Sequence, residues 1–231
     1  MRDGRLTLQP SAACAVPPLE AVEAILARRR LELGFKRLVD VCAGLVLLVG
    51  LLPLMVLVTA AIRLESPGRA LFRQVRSGRR ERPFLCYKFR SMITDHGEVV
   101  PSNVEAVCQR DGLLLKMARD PRVTRVGAWL RRWSIDEIPQ LWNVLKGEMS
   151  MVGPRPLMEH MLAPYPEFRA VRAIVRPGMT GLWQIRNREY STSALYMLSD
   201  DLEYLTQFSV ALDLRILAAT VRAVVRGRGA Y

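Results

Sequence analysis

Asp136 and Glu137 are the residues of this chain whose types and placement most readily support chemistry. They stand side by side in Arg131-Arg132-Trp133-Ser134-Ile135-Asp136-Glu137-Ile138-Pro139-Gln140, shortly after an arginine pair. A carboxylate beside arginines can attack phosphorus and form an acyl-phosphate intermediate. A second carboxylate can hold Mg²⁺, which screens the phosphate charges that would repel the attacking anion. A structural reading of the same segment is the more economical. Ser134 followed by Glu137 matches a capping box, acids in a first turn complement the helix dipole, and Pro139 is tolerated early in a helix. On this segment alone both readings stand.

The neighbours favour phosphate. Gly153-Pro154-Arg155-Pro156 and Arg176-Pro177-Gly178-Met179-Thr180-Gly181 place arginines in backbone fixed by proline and glycine, as positioned ligand contacts require. The formal charge of +12 asks for anionic partners: nucleic acid, an anionic membrane surface or phosphorylated small molecules. Nearly all the basic residues are arginine, whose planar fork suits phosphate, although a GC-rich genome would produce the same excess. A membrane-tethered nucleic-acid-binding module would explain the charge, but the sequence offers no recognition helix or aromatic stacking platform. Cys14, Cys42, Cys86 and Cys108 are scattered without a CxxC pair, against a disulfide scaffold or zinc site. His96 and His160 stand in unrelated contexts, which argues against a histidine-based triad.

These residues need elements to hold them, and the most conspicuous is apolar. Val41 to Ile62 is a run of 22 uncharged residues, about 33 Å as a straight helix and close to bilayer thickness. It begins too late for an ordinary signal peptide, leaving a membrane segment or a buried core helix. Arg28, Arg29, Arg30, Lys36 and Arg37 precede it; Arg63, Arg69, Arg73 and Arg76 follow. Positive flanks belong on the cytoplasmic side, so a single crossing sends one cluster out and a re-entrant hairpin sends neither. Pro53, beside Gly50, cannot donate to the Val49 carbonyl and predicts a kink between two half-helices, each roughly 18 Å long. Proline also occurs in ordinary spanning helices, so a crossing stays open beside the re-entrant anchor.

The rest reads as one α+β, predominantly helical domain. Residues 1–35 form an N-terminal arm containing a helix over Glu20–Leu33, 36–64 the anchor, and 65–231 a cytoplasmic catalytic domain. Ala70–Ser77 and Phe84–Ser91 predict a β-hairpin with a charged turn. Residues 95–118 are a loose, partly helical connection. Helices are expected over Val126–Trp133 and Leu157–Met161, with an amphipathic basic helix over Leu212–Arg226 suited to core packing or to a membrane interface.

The ordered set of motifs resembles a known family. Lys36-Arg37 with Asp40, Gln74-Val75-Arg76-Ser77-Gly78, Tyr87-Lys88-Phe89-Arg90-Ser91-Met92 and Asp120-Pro121-Arg122-Val123-Thr124 are similar to the bacterial sugar transferases. So are Ser134 to Gln140, Asn143 to Gly147, Met149 to Pro156, Arg176 to Gln184, and the ending Gly227-Arg228-Gly229-Ala230-Tyr231. These are the monotopic polyprenyl-phosphate phosphoglycosyl transferases.

The resemblance implies transfer of a sugar 1-phosphate from a UDP-sugar to undecaprenyl phosphate, with release of UMP. This is the first membrane step of exopolysaccharide, O-antigen or glycoconjugate synthesis. It implies Asp136 as the covalent nucleophile, Glu137 as the Mg²⁺ ligand, and Arg131, Arg155, Lys88, Arg90 and Arg188 as contacts to substrate phosphate. Pro53 would break a re-entrant helix seated in the bacterial inner membrane, with the catalytic domain on its cytoplasmic face. The implied partners are the UDP-sugar, undecaprenyl phosphate, inner-membrane lipid, downstream glycosyltransferases and, in a homodimer, a second copy of the chain; nucleic acid is not among them. Asn187 stands where the family usually has glycine, and Leu52 where some members carry a polar residue. The identity of the sugar is open between galactose, glucose and N-acetylated sugars.

Overall fold

In the computed structural model, residues 16–93, 122–186 and 194–226 are described. Arg188, Asn187, His96, the whole 95–118 connection and the ending 227–231 lie outside the described residues. The described residues open on two helices where one was expected. Helix α1 (Leu19–Arg28) ends at Arg29 (φ −106°, ψ 27°), and α2 (Arg30–Gly50) follows at once. Val22 and Leu26, one helical turn apart on α1, are buried in the largest hydrophobic cluster. The helix within the N-terminal arm is therefore part of the main core.

The apolar run bends at the expected proline. Helix α3 (Leu52–Glu65) leaves α2 at 57°, with Leu51 between them and Pro53 in the first turn of α3. A first-turn residue has no intrahelical partner for its N–H, so proline is accommodated there without losing a bond. Among the described residues no single helix is long and apolar enough to cross a membrane, while the bent pair together has the length and composition. Val46, Val49, Leu52, Val56 and Leu57 are all more than half exposed along it.

Strands β1 (Leu71–Ser77) and β2 (Pro83–Phe89) pair antiparallel from Leu71↔Phe89 to Ser77↔Pro83, within a residue or two of the expected hairpin. The turn carries Arg80 and Glu81 at positive φ (56° and 58°) and is pinned where the Arg80 N–H donates to the Ala173 carbonyl at 2.6 Å. Helix α4 (Arg125–Arg132), α5 (Gln140–Lys146), strand β3 (Ser150–Val152), α6 (Glu159–Leu162) and α7 (Pro166–Arg172) follow. Strand β4 (Gly178–Thr180), α8 (Leu182–Arg186), α9 (Ala194–Thr206) and α10 (Val210–Val225) complete the order. Ser209 caps α10, its Oγ accepting from the Leu212 N–H.

Pairing of β3 with β4 is parallel, Ser150↔Gly178 and Val152↔Thr180. It joins the two proline- and glycine-rich loops, which the sequence presents as separate. A Cβ on Gly178 would lie 2.1 Å from the Gly153 nitrogen, so only glycine permits this backbone approach. The main core gathers Phe168, Leu198, Leu205, Phe208 and Ile216 around α1, and a second cluster packs Val58, Ile62, Ala70, Phe89 and Leu130 between α3, the hairpin and α4.

Candidate active site

The carboxylate pair sits on a short turn braced from both sides. Thr124 caps α4 by accepting from the Gly127 N–H at 2.9 Å. Gly127 lies so close to the end of β2 that a Cβ there would fall 2.0 Å from the Ser91 carbonyl oxygen. After α4, Ser134 takes a left-handed conformation (φ 55°, ψ 22°), uncommon for a residue with a side chain. It redirects the chain into a 3₁₀ turn, Ile135–Glu137. Ile135 and Ile138 pack into the second core cluster, fixing the turn that presents Asp136 and Glu137.

The expected capping box is not formed. Ser134 makes no side-chain cap bond, and its N–H donates to the Arg131 carbonyl at 3.1 Å. The Glu137 carboxylate instead meets cations, Lys88 Nζ at 2.8 Å and Arg155 Nη2 at 3.6 Å from Oε1. Structure therefore separates the two readings of the segment: Glu137 faces the cationic group.

Each cation arrives from a different element. Lys88 comes from β2, and Arg155 from the loop after β3. Arg155 is held at both ends: its carbonyl accepts from Arg172 Nη2 at 2.6 Å, and its guanidinium lies 6.0 Å from the centre of the Trp183 ring. Arg172 is itself fixed by Asp201 at 2.8 Å, both side chains almost fully buried. Arg131 donates from Nε to Ser91 Oγ at 2.8 Å, tying α4 to the end of β2.

Arg90 does something different from what the sequence suggested. It is buried, and its guanidinium bonds the Ser66 carbonyl (2.7 Å), Ser66 Oγ (2.9 Å) and the Pro67 carbonyl. It closes the end of α3 against the hairpin, and this geometry lends no support to a phosphate contact.

Sequence reasoning passed over Arg76. Burial and the neighbouring Arg155 charge lower its pKa, while Cys86 and Glu137 raise it, which puts the guanidinium within the field of the same cluster. Its Nη2 bonds Gln74 Oε1, and Nη1 reaches the Pro156 carbonyl at 3.4 Å. The available signal was the alternation of Gln74 and Arg76 on one face of β1. Burial pushes the Cys86 thiol up, against the lowering effect of Lys88 and Arg76, so Cys86 remains a protonated core residue.

Behind the site, the Lys36-Arg37…Asp40 pattern joins α2 to it. Lys36 Nζ bonds Asp213 Oδ2 at 2.6 Å and the Val152 carbonyl at 3.0 Å, while Tyr204 donates to the other Asp213 oxygen at 2.9 Å. Asp40 accepts from Ser150 Oγ at 2.7 Å and the Met151 N–H at 3.0 Å. Arg37 donates to the Val144 and Leu145 carbonyls at the end of α5, at 2.7 and 3.1 Å. The bent helix pair thus grips β3, immediately before the loop that carries Arg155.

Mg²⁺ takes oxygen ligands and is commonly held by one or two carboxylates plus substrate phosphates. The adjacent carboxylates fit that donor set, and no group of three or more His, Cys, Asp or Glu side chains suited to an all-protein metal cage occurs among the described residues.

Comparison with known proteins identifies the family. The family model described as bacterial sugar transferase matches residues 31–227. An undecaprenyl-phosphate glucose phosphotransferase of Komagataeibacter xylinus is 40% identical, over 85% of this chain but 37% of its own length. Exopolysaccharide production protein PSS of Rhizobium leguminosarum bv. phaseoli is 38% identical over 86% of this chain and all of its own. An undecaprenyl-phosphate galactose phosphotransferase of Salmonella typhimurium is 36% identical over 85% of this chain and 41% of its own length. The chain thus spans about two fifths of some relatives and the whole of the Rhizobium protein. It belongs to the bacterial sugar transferase family.

Proposed function

We propose that this chain transfers a sugar 1-phosphate from a UDP-sugar to undecaprenyl phosphate, opening an exopolysaccharide, O-antigen or glycoconjugate pathway that downstream glycosyltransferases continue. The observation that carries the reading is Glu137 held by Lys88 and Arg155 beside Asp136, on a turn braced against the bent apolar helices.

In the first half-reaction an Asp136 carboxylate oxygen attacks the β-phosphorus of the sugar nucleotide. The bond from that phosphorus to the bridging oxygen breaks, and UMP leaves with the electron pair. In the second, an oxygen of undecaprenyl phosphate attacks the same phosphorus and Asp136 departs as carboxylate, leaving a polyprenyl diphosphate sugar. Lys88, Arg155, Arg131 and Arg76 would bind and orient the phosphates and neutralise the charge developing on the transferred group. Glu137 would hold a Mg²⁺ ion, whose chemistry is to screen the phosphate oxygens. One shallow site can then serve a soluble donor and a lipid acceptor in turn.

The relatives' names support the acceptor and divide on the sugar: glucose in the Komagataeibacter protein, galactose in the Salmonella one. We place the bent pair as a re-entrant anchor in the inner membrane with the catalytic residues on the cytoplasmic side. The double-positive flanks, the 57° bend and the exposed apolar faces support this. Labelling of either flank by a periplasmic reagent would overturn that placement.

The function is tested by UMP release across a panel of UDP-sugars, with undecaprenyl phosphate and Mg²⁺. One sugar is expected to stand out, dependent on both the lipid phosphate and Mg²⁺. Absence of UMP release with every UDP-sugar would reject the reading.

A further inference from the structure

A second concave region lies apart from the carboxylate pair. A cleft of about 610 Å³ is walled by α1, the start of α2, the Arg79 turn and residues 174–176, with the buried Tyr204 and Phe208 among its lining residues. None of Asp136, Glu137, Lys88, Arg131 or Arg155 lines it. Its volume is in the range of small-molecule sites.

Two arginines in its wall are fixed but not neutralised. Arg79 donates from Nε to the Ile174 carbonyl at 3.0 Å, and Arg176 from Nε to the Gly147 carbonyl at 2.7 Å. Each bond orients its guanidinium and leaves the Nη1/Nη2 edge with no protein acceptor among the described residues. Arg37, whose bonds to Val144 and Leu145 converge on the same end of α5, adds a third charge. None of the three has a carboxylate within ion-pair distance among the described residues; the nearby Asp40 is spent on Ser150 and Met151. Burial and the Arg37 charge lower the pKa of Arg176 against the raising effect of Asp40; burial, Arg176 and Arg80 lower that of Arg79. Arginines that disfavour one another's charge gain most from an anion between them.

Capping of α5 accounts for Arg37 and for one N–H of Arg176. It accounts neither for Arg79 nor for the two open forks. Glu20 and Glu23 of α1, both exposed, line the same cleft, beside Arg30 and the Asp213-bound Lys36, so it offers carboxylates as well as arginines.

We propose that this cleft is a second ligand site, distinct from the transfer site, for a phosphate ester that also carries an amine or hydroxyl group. Its phosphate lies across the Nη edges of Arg79 and Arg176, where planar forks give paired charge-assisted bonds. Its amine or hydroxyl donors face Glu20 and Glu23. A lipid headgroup and a soluble phosphate ester share this chemistry.

The test uses the full chain in phosphatidylcholine nanodiscs, titrated with inorganic phosphate and with O-phosphoethanolamine, beside nanodiscs doped with phosphatidylethanolamine. Binding is read by native mass spectrometry and by the shift in melting temperature. Saturable binding of a phosphate probe or of the doped lipid is expected. It should weaken about tenfold or more in Arg79→Gln/Arg176→Gln, the scale of a lost charge-assisted bond, and persist in Asp136→Asn. Uptake of the doped lipid alone assigns the site to a headgroup, and uptake of the free ester alone to a soluble ligand. Glu23→Gln, on the exposed face of α1, covers the case in which the double variant fails to fold. It should weaken O-phosphoethanolamine and leave inorganic phosphate unchanged. No saturable binding by the wild-type chain, binding unaltered in the arginine double variant, or equal loss of both free probes in Glu23→Gln would each overturn the proposal.

Discussion

Two groups of ion pairs use the same residue types in different settings. Around Glu137, Lys88 and Arg155 keep 22% and 24% of their side chains exposed. Behind the loop that carries Arg155, Arg172 and Asp201 keep 5% and 2%. The buried pair is closed on itself, with Arg172 spending further donors on the Arg155 carbonyl. The outer group gathers more positive charge than Glu137 can balance, with Arg76 also in its field. A paired buried couple holds a shape, whereas a partly exposed cationic cluster beside two carboxylates can still take up an anionic substrate. Position in the fold, more than residue type, separates scaffold from chemistry.

Replacing the nucleophile should give the largest effect. Asp136→Asn is expected to lower UMP release by roughly 10⁴-fold or more, the scale of losing an essential nucleophile, with the melting temperature nearly unchanged. The inner pair should behave in the opposite way. Arg172→Ala leaves Asp201 buried without its partner and should cost about 3–5 kcal/mol of stability, read by denaturant or thermal unfolding. The double change Arg172→Met with Asp201→Asn should recover much of that loss. If Arg172→Ala unfolds at the wild-type midpoint, the contrast fails.

Lys88→Ala lies between these two. UMP release should fall about 10–100-fold, as when a partner that orients a metal ligand is lost. Stability should change by less than about 1 kcal/mol, because the pair is partly solvated. The smallest expected effect is on pH dependence. Burial raises the Asp201 carboxyl to about 6, against the lowering influence of Arg172. The folded chain then binds more protons than the unfolded chain between the ordinary carboxylate range and about pH 6. This group's contribution therefore makes stability fall as pH rises through that window. Unfolding free energies measured across it should show that slope in wild type and a flatter one in Asp201→Asn.

Much of the local structure was legible in the sequence because its causes are local. Pro53 marked the bend, two strand-like runs around the charged Gly78–Pro83 turn marked the hairpin, and the apolar spacing of Leu214, Leu217, Val221 and Val224 marked α10. The break at Arg29 was not, since neither proline nor glycine announces it. Non-local pairings were also hidden. Nothing near Gly153 signals that Gly178 will lie against it, nor near Arg172 that Asp201 will bury with it. The site was legible as a set of motifs, but not in its division of labour. Lys88 and Arg90 sit two residues apart in one motif, yet one reaches Glu137 and the other closes α3. The carboxyl end of β2 separates them, beyond which strand alternation no longer dictates where a side chain points.

The central claim is that Asp136 carries the phosphosugar between donor and acceptor. The purified chain, incubated with its UDP-sugar and Mg²⁺ but without undecaprenyl phosphate, should gain the mass of one phosphosugar. Fragmentation should place it on Asp136, and adding the lipid phosphate should discharge it. Rapid UMP release dependent on the acceptor, with no adduct at any time and undiminished in Asp136→Asn, would contradict the account.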